Sequence, residues 1–372
     1  MVDLQTQYQL IKPEIDNAIQ QVIDNATFIK GPQVTHFAQH LANWLSVKNV
    51  ITTGNGTDAL QIALMALGLK QGDEVITPDF TFIATAEVVA LLGLTPVVVD
   101  VDKRTMNMSV EALRHAITPR TKAIVPVHLF GQCADMQAIM QLAQQHHLYV
   151  VEDACQAIGA EYTFADGRTL KAGCIGHIGC TSFFPSKNLG CYGDGGAVFT
   201  NDDDLAARMR AIANHGMVVR YHHDMIGVNS RLDSIQAAVL DIKLQHLNYY
   251  TSARREAAAF YDQAFASNPH IITPLRDPKS THVFHQYTIQ LTGIDRDKLR
   301  QQLAEAGIPA MVYYPVPLHM QKAYQDPRYK QGDFPVSEQL AQCVLSLPMH
   351  TCLTEEQLQY ITHTVNYLTR NC

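Results

Sequence analysis

The stretch "NVITTGNGTDALQIALMALGLKQGDEVITP" (Asn49 to Pro78) sets the architecture. A β-branched run, Asn49 to Thr53, stops at Gly54-Asn55-Gly56, and an apolar pattern with helical spacing follows over residues 57–68. A second short run, Glu74 to Pro78, comes next. Strand, turn, helix and strand make one βα repeat, and such repeats build a mostly parallel sheet covered on both faces. The pattern continues downstream: helix 81–93 leads to strand 95–102, helix 109–117 to strand 122–129, and helix 134–146 to strand 148–153. Upstream, "KPEIDNAIQQVIDNA" puts Ile15, Ala18, Ile19, Val22, Ile23 and Ala26 on one helical face, with Pro13 at its start.

After Asp153 the rhythm changes. Strands are predicted over 178–184 and 196–200, then helices over 202–214 and 231–246. "YYTSARREAAAFYDQAF" (249–265) reads as a further long helix leading out of the large domain. Strand 283–291, helix 295–306, strand 310–314 and a closing helix 354–368 complete the chain. The expectation is a large α/β domain over 1–250 and a small α+β domain over 251–372.

Of the 372 residues 47% are hydrophobic and 17% charged, enough apolar material for a sizeable core. The net charge of −7 argues against a nucleic-acid partner, which needs a basic face. The eight cysteines, at 133, 155, 174, 180, 191, 343, 352 and 372, include no CxxC pair and read as reduced thiols of a cytoplasmic protein. "CIGHIGC" (Cys174, His177, Cys180) has near-metal spacing but no second ligand pair nearby, so no metal is expected. The amino terminus shows no signal peptide, and the greasy stretch Ala84 to Val99, broken by Glu87 and Pro96, falls short of the ~20 residues a membrane span needs.

Ligands of open α/β sheets sit beyond the carboxyl ends of the strands, and three features lie there. Gly54-Asn55-Gly56 opens a helix whose first N–H groups, with the Thr57 hydroxyl, make an anion site. In "YVVEDACQAIGA", Asp153 ends an apolar strand, where a carboxylate is costly without a cation to meet it. In "TSFFPSKNLGCYGDGGAVFT", Lys187 stands between an apolar strand and a glycine turn, where lost hydration eases deprotonation of its amine. Each signal alone is modest: many βα turns bind nothing, a strand-end aspartate is often a cap, and most loop lysines are solvated. Together they describe a site for pyridoxal 5'-phosphate, with a cradle for the phosphate, a carboxylate for the ring nitrogen and an amine for the aldehyde.

The run "NGTDALQIAL", "TFIATAEVVALLG", "VEDACQAIGA", "SFFPSKNLGCYGDGGA" and "GVNSRLDSIQAA" resembles the DegT/DnrJ/EryC1/StrS family of nucleotide-sugar aminotransferases along the whole chain. The resemblance implies a fold-type-I pyridoxal-phosphate enzyme. It implies that Lys187 forms the Schiff base and shuttles the proton, that Asp153 pairs with the ring nitrogen and that Gln156 approaches the ring hydroxyl. Gly56, Thr57 and Ser182 would hold the phosphate, Phe82 would stack on the ring, and Asn229 would reach the cofactor of a second subunit in a homodimer. Cys155 departs from a common alanine and Asp194 from a common glutamate. Lysine at 187, where dehydratase relatives carry histidine, implies transamination.

"TSFFPSKNLGCYGDGGA", "RYHHDMIGVNSRLD" and "LSLPMH" most resemble the branch that aminates C3 of a UDP-linked 2-acetamido-3-keto-glucuronic acid for surface polysaccharide. L-glutamate would give the amine and leave as 2-oxoglutarate. A uronate and a diphosphate call for cationic donors, and Arg220, Tyr221, His222 and His223 are the candidates, with Tyr314 and His319 of "VYYPVPLHM" lining the sugar. Singly, Arg220, His222 and His223 read nearly as well as residues of a solvated loop, and the Pro-rich segment of Tyr314 and His319 as a plain strand exit. The alternative within the class is a 3-aminotransferase for a dTDP-linked 3-keto-6-deoxyhexose, which needs no arginine at C6. From another class, a PLP-binding regulatory protein would not need the full set of Lys187, Asp153 and Gln156.

Overall fold

A computed structural model describes residues 1–370, so Cys372 lies outside the described residues. Helices α1 (Leu4–Leu10), α2 (Lys12–Asp24) and α3 (Pro32–Leu45) precede the first repeat. The repeats are β1 (Asn49–Thr53), α4 (Gly56–Ala66), β2 (Glu74–Pro78), α5 (Ala84–Leu91), β3 (Thr95–Val99), α6 (Val110–Ala116), β4 (Thr121–Ile124), α7 (Met136–His146) and β5 (Tyr149–Asp153). A small hairpin, β6 (Glu161–Thr163) and β7 (Thr169–Lys171), comes before β8 (Ile178–Ser182), β9 (Gly196–Thr200) and α8 (Asp203–Ile212).

The sheet order is β1-β9-β8-β5-β4-β2-β3, and β9 alone runs against its neighbours. One face packs on α4, α5 and α8 through residues such as Ala59, Ile62, Val88 and Met209; the other packs on α6 and α7 through Leu113, Ile139 and Leu142. The central strands are buried throughout because both faces are covered, which is why they read as unbroken apolar runs.

Past α8 come a two-stranded ribbon, β10 (Met217–Val219) and β11 (His222–His223), and helix α9 (Ser234–Phe265). The two helices expected over 231–246 and 249–265 are one 32-residue helix, since no Gly or Pro interrupts Leu247-Asn248-Tyr249. The boundary expected at 250/251 falls inside it. The remainder is β12 (Ile271–Ile272), β13 (Tyr287–Leu291), α10 (Arg296–Glu305), α11 (Pro335–Cys343), β14 (Val344–Leu347) and α12 (Glu355–Arg370). A separate core of Ala258, Tyr261, Ile289, Leu299, Leu345 and Ile361 unites these elements.

Three expectations need correction. Strand 310–314 does not form: Met311 makes a single bridge to Ser346, and Pro315 and Pro317, which lack N–H donors, break any ladder beyond. Strand 283–291 begins only at Tyr287, because Val283 and Phe284 wrap around Gly131, where a Cβ would meet Val283 Cγ2 at 2.9 Å. Strand 122–129 stops at Ile124.

Strand alternation at the end of β5 sends Glu152 and Asp153 to opposite faces. Glu152 is wholly buried and accepts the N–H groups of Gly173 (2.8 Å), Ile175 (2.6 Å) and Gly176 (2.5 Å). His128 Nδ1 accepts from the Ala134 N–H, so its Nε2 carries the proton and donates to Glu152 at 2.8 Å. This anchor organises the "CIGHIGC" loop: His177 Nδ1 accepts the Val150 N–H, and Cys180 is buried in β8. Glu152→Gln turns one of these acceptors into a donor facing backbone N–H groups. Calorimetric unfolding of this variant is expected to show a loss of about 3 kcal/mol, and an unchanged Tm would contradict the anchor.

Candidate active site

A cavity of about 380 Å³ opens at the carboxyl ends of β1, β2, β5 and β8. Gly56, Thr57, Phe82, Asp153, Gln156, Ser182, Lys187 and Tyr314, all expected from the sequence, line it, as do Cys155 and Asp194.

On one side stands the start of α4. Asn55 caps the helix by accepting the Asp58 N–H at 2.8 Å, and the first N–H groups, at Gly56 and Thr57, have no helical acceptor. Gly56 is forced by close approach: a Cβ there would sit 2.7 Å from Ser182 Cβ and 3.0 Å from Cys155 Sγ. The glycine thus lets the helix dipole end abut the end of β8.

Asp153 is 6% exposed. Its carboxylate accepts the Thr85 hydroxyl at 2.8 Å and the Cys155 N–H at 3.1 Å, and it makes no ion pair among the described residues. Gln156 is oriented from both ends: its Oε1 accepts the Phe130 N–H at 2.8 Å, and its Nε2 donates to Tyr314 Oη at 3.0 Å. Phe82, 52% exposed, faces Tyr314 with ring centroids 6.1 Å apart.

Lys187 opens into this space from the loop after β8, its backbone N–H held by the Phe184 carbonyl at 2.8 Å. Its amine has no hydrogen bond or ion pair among the described residues. Burial lowers its pKa, opposed by Cys155 and Asp153. Burial likewise drives the Cys155 thiol well above its ordinary value, so it stays protonated and unreactive. His285, also in the wall, is pushed well below the ordinary histidine value by burial and then by the Lys187 and Arg254 charges, and is neutral.

These residues fit pyridoxal phosphate. An uncompensated buried carboxylate, a lone amine and a helix amino terminus face one cavity, and the buried Thr81 Oγ1 and His285 Nδ1 in its wall have no hydrogen-bond partner among the described residues. A cation at Asp153, a carbonyl at Lys187 and an anion at α4 would satisfy the set.

Other expected residues are elsewhere. Arg220, Tyr221, His222 and His223 lie on the β10–β11 ribbon, exposed to solvent; Arg220 stacks on Tyr221 and His223 Nδ1 meets the His215 carbonyl. Asn229 is exposed beside Asn214, outside the cavity, while the adjacent Ser230 accepts the Gly54 N–H. His319 is buried between Asp79 (2.7 Å) and Glu338 (3.3 Å), so its ring is engaged by carboxylates and does not line the cavity. Thr85, Tyr313, His285 and Gln286 were not found from the sequence. Thr85 had a signal, a hydroxyl in the "TFIAT" run near Phe82, whereas the others come from distant segments.

Over residues 9–366 the chain matches the model of the DegT/DnrJ/EryC1/StrS aminotransferase family. It is 47% identical over 360 residues to UDP-2-acetamido-2-deoxy-3-oxo-D-glucuronate aminotransferase of Pseudomonas aeruginosa, covering 97% of both chains. It is 46% identical to UDP-N-acetyl-3-dehydro-alpha-D-glucosamine 3-aminotransferase of Acidithiobacillus ferrooxidans, covering 97% of this chain and 95% of the relative. Among solved structures, S. venezuelae DesV in complex with a ketimine intermediate superposes with a TM-score of 0.94 at 40% identity, over 99% of this chain and 97% of that one. The fold is therefore the fold-type-I arrangement expected from the sequence. The chain is a pyridoxal-phosphate-dependent aminotransferase and belongs to the DegT/DnrJ/EryC1/StrS family.

Proposed function

We propose that this aminotransferase moves the amino group of L-glutamate to C3 of a UDP-linked 2-acetamido-3-keto-glucuronic acid, in the cytoplasm, for surface polysaccharide. The observation that carries the reading is one cavity holding an unpaired Lys187 amine and an unneutralised Asp153 carboxylate. The two relatives described above act, by their names, on UDP-linked 3-oxo sugars, which supports the nucleotide and the carbon.

When bound, pyridoxal phosphate supplies a carbonyl that carries the amino group and a ring that accepts electron density. The chain's residues take the remaining tasks. Lys187 Nζ would carry the proton that moves between the substrate carbon and the bound cofactor, a role its lowered pKa favours. Asp153, oriented by the Thr85 hydroxyl and the Cys155 N–H, would pair with a protonated ring nitrogen. Gln156, fixed by Phe130 and Tyr314, would meet the ring hydroxyl, and Phe82 would cover the ring. Gly56, Thr57 and Ser182 would hold the phosphate.

A homodimer accounts for the residues left outside. The ribbon region exposes Val218, Val219, Tyr221 and Ile226 at 61% to 88%, an apolar surface that suits a second copy. Asn229 would enter the partner's site, and Arg220, His222 and His223 would meet the uronate and diphosphate from across the interface.

A second reading keeps the UDP sugar but replaces the uronate by a neutral C6. It is favoured by one observation: among the described residues lining the cavity none is arginine. A dTDP-linked 6-deoxy substrate shares that advantage. Reverse reactions with 2-oxoglutarate and a panel of 3-amino sugars, followed as glutamate release, separate these. UDP-linked 3-amino uronate is expected to exceed its C6-hydroxymethyl analogue by at least about tenfold in kcat/KM, the discrimination of one buried charge pair. Equal rates would move the assignment to the neutral sugar, and reaction with dTDP sugars alone would overturn the nucleotide.

Lys187→Ala is expected to lower turnover at least about 10³-fold. The Asp153 charge raises the Lys187 pKa, so Asp153→Asn should lower it further. In cofactor-free protein the rate of pyridoxal phosphate capture is expected to rise with pH through a midpoint below 10.5, the ordinary lysine value, and at lower pH still in Asp153→Asn. A midpoint at or above that value, or one raised by Asp153→Asn, would contradict the assignment.

A further inference from the structure

Helix α9 carries two buried cations that the chemistry above does not use. Lys243 is 2% exposed and Arg254 is 4% exposed, and neither pairs with a carboxylate among the described residues. They are roughly three turns apart, so they project from the same side of the helix. Each instead binds backbone carbonyls. Lys243 Nζ donates to the Gly190 carbonyl at 2.8 Å and stands 4.4 Å from the centroid of the Tyr192 ring. Arg254 Nη1 donates to the carbonyls of Phe284 (3.0 Å), Met349 (3.1 Å) and His285 (3.4 Å).

The Gly190 carbonyl and the Phe284 and His285 carbonyls belong to two segments that also reach the cavity, the first through Lys187 and the second through His285 and Gln286. Gly190 ends the tight loop that starts after β8 and presents Lys187; a Cβ on Gly190 would lie 2.3 Å from the Pro185 carbonyl oxygen. The same loop is held a second time by α9, where Gln236 Oε1 accepts the Tyr192 N–H at 2.8 Å. His285 and the adjacent Gln286 form another part of the wall. An uncompensated buried cation costs several kcal/mol, and an apolar side chain would pack the same helix face without that cost. Retaining two of them on carbonyls of the two wall segments has a reason only if their placement matters.

We propose that Lys243 and Arg254 are positioning residues through which α9 sets the spacing of the cavity walls, Lys243 fixing the Lys187 loop and Arg254 the His285–Gln286 segment. The inference rests on the reading that this cavity holds pyridoxal phosphate. Neither residue touches the cofactor or substrate; both act through main-chain carbonyls.

The test uses the pH dependence of Lys243. Burial lowers its pKa to about 8, and the titratable groups facing it, the Cys191 thiol at about 11 and the Tyr192 phenol at about 12, stay protonated there. Above that pH the neutral amine keeps only a weaker hydrogen bond to Gly190 and loses its cationic attraction to the ring, so cofactor affinity is expected to fall. The dissociation constant for pyridoxal phosphate is measured by absorbance titration from about pH 6.5 to 9.5, with Tm alongside, for the wild type, Lys243→Met, Lys243→Arg and Lys187→Ala. Lys243→Met is expected to keep a Tm near that of the wild type, to bind about tenfold more weakly at neutral pH and to lose the step near pH 8. Lys243→Arg is expected to restore most of the affinity but not the step, because a guanidinium does not titrate there. Binding by Lys243→Met that matches the wild type across the range would overturn the proposal. If Lys243→Met does not fold, a fall in affinity above about pH 8 that persists in Lys243→Arg overturns it equally, since deprotonation of Lys187 moves affinity the other way. A wild type that fails to bind the cofactor, or binds it as Lys187→Ala does, refutes the site reading instead.

Discussion

Asp153 carries a buried negative charge that no cation in the described chain neutralises, and the rest of the site is arranged around that deficit. A carboxylate at 6% exposure loses most of its hydration, and two hydrogen bonds, from Thr85 and the Cys155 N–H, return only part of it. The nearest obvious partner, Lys187, shares the cavity but does not pair with it. A carboxylate and an amine held apart in one low-dielectric space leave room for a ligand with a cation at one end and a carbonyl at the other. Pyridoxal phosphate is such a ligand, and the amino terminus of α4 would meet its third group.

Keeping Asp153 and Lys187 apart is the work of the scaffold. Asp153 is fixed because the preceding Glu152 is locked on the far face of β5 by three N–H groups and His128. Lys187 is fixed by a loop whose far end, at Gly190 and Tyr192, is gripped by α9. Gln156 and Tyr314 join the N-terminal repeats to the segment after α10, so the cavity closes only when both cores have formed. Chemistry and stability therefore use neighbouring residues of the same strand for opposite purposes.

The repeating units and the cofactor pocket were legible in the sequence because both are local. The order of strands and helices over residues 49–153 follows from spacing, although β4 stops early at Ile124; Gly56 opens α4, Asp153 ends β5, and Lys187 lies in the loop after β8. The C-terminal part was less legible. β14 is four residues long and follows directly on α11, which leaves no turn signal to separate them, and the predicted strand 310–314 was undone by Pro315 and Pro317. Substrate-side residues were the least legible, since their roles depend on which segments meet in space. Histidines 222 and 223 look like anion ligands in a motif yet stand on an exposed ribbon, while His319 is occupied by Asp79 and Glu338. His285, which does reach the cavity, carried no local mark at all.

The central claim is that one amine among the chain's lysines is the point of attachment, chosen by burial and by its distance from Asp153. The most direct measurement is to load the protein with pyridoxal phosphate, reduce with borohydride, digest, and locate the pyridoxyl group by mass spectrometry. The account predicts a single modified peptide with the label on Lys187. A label on Lys243 or on several surface lysines, or no label on Lys187, would contradict it.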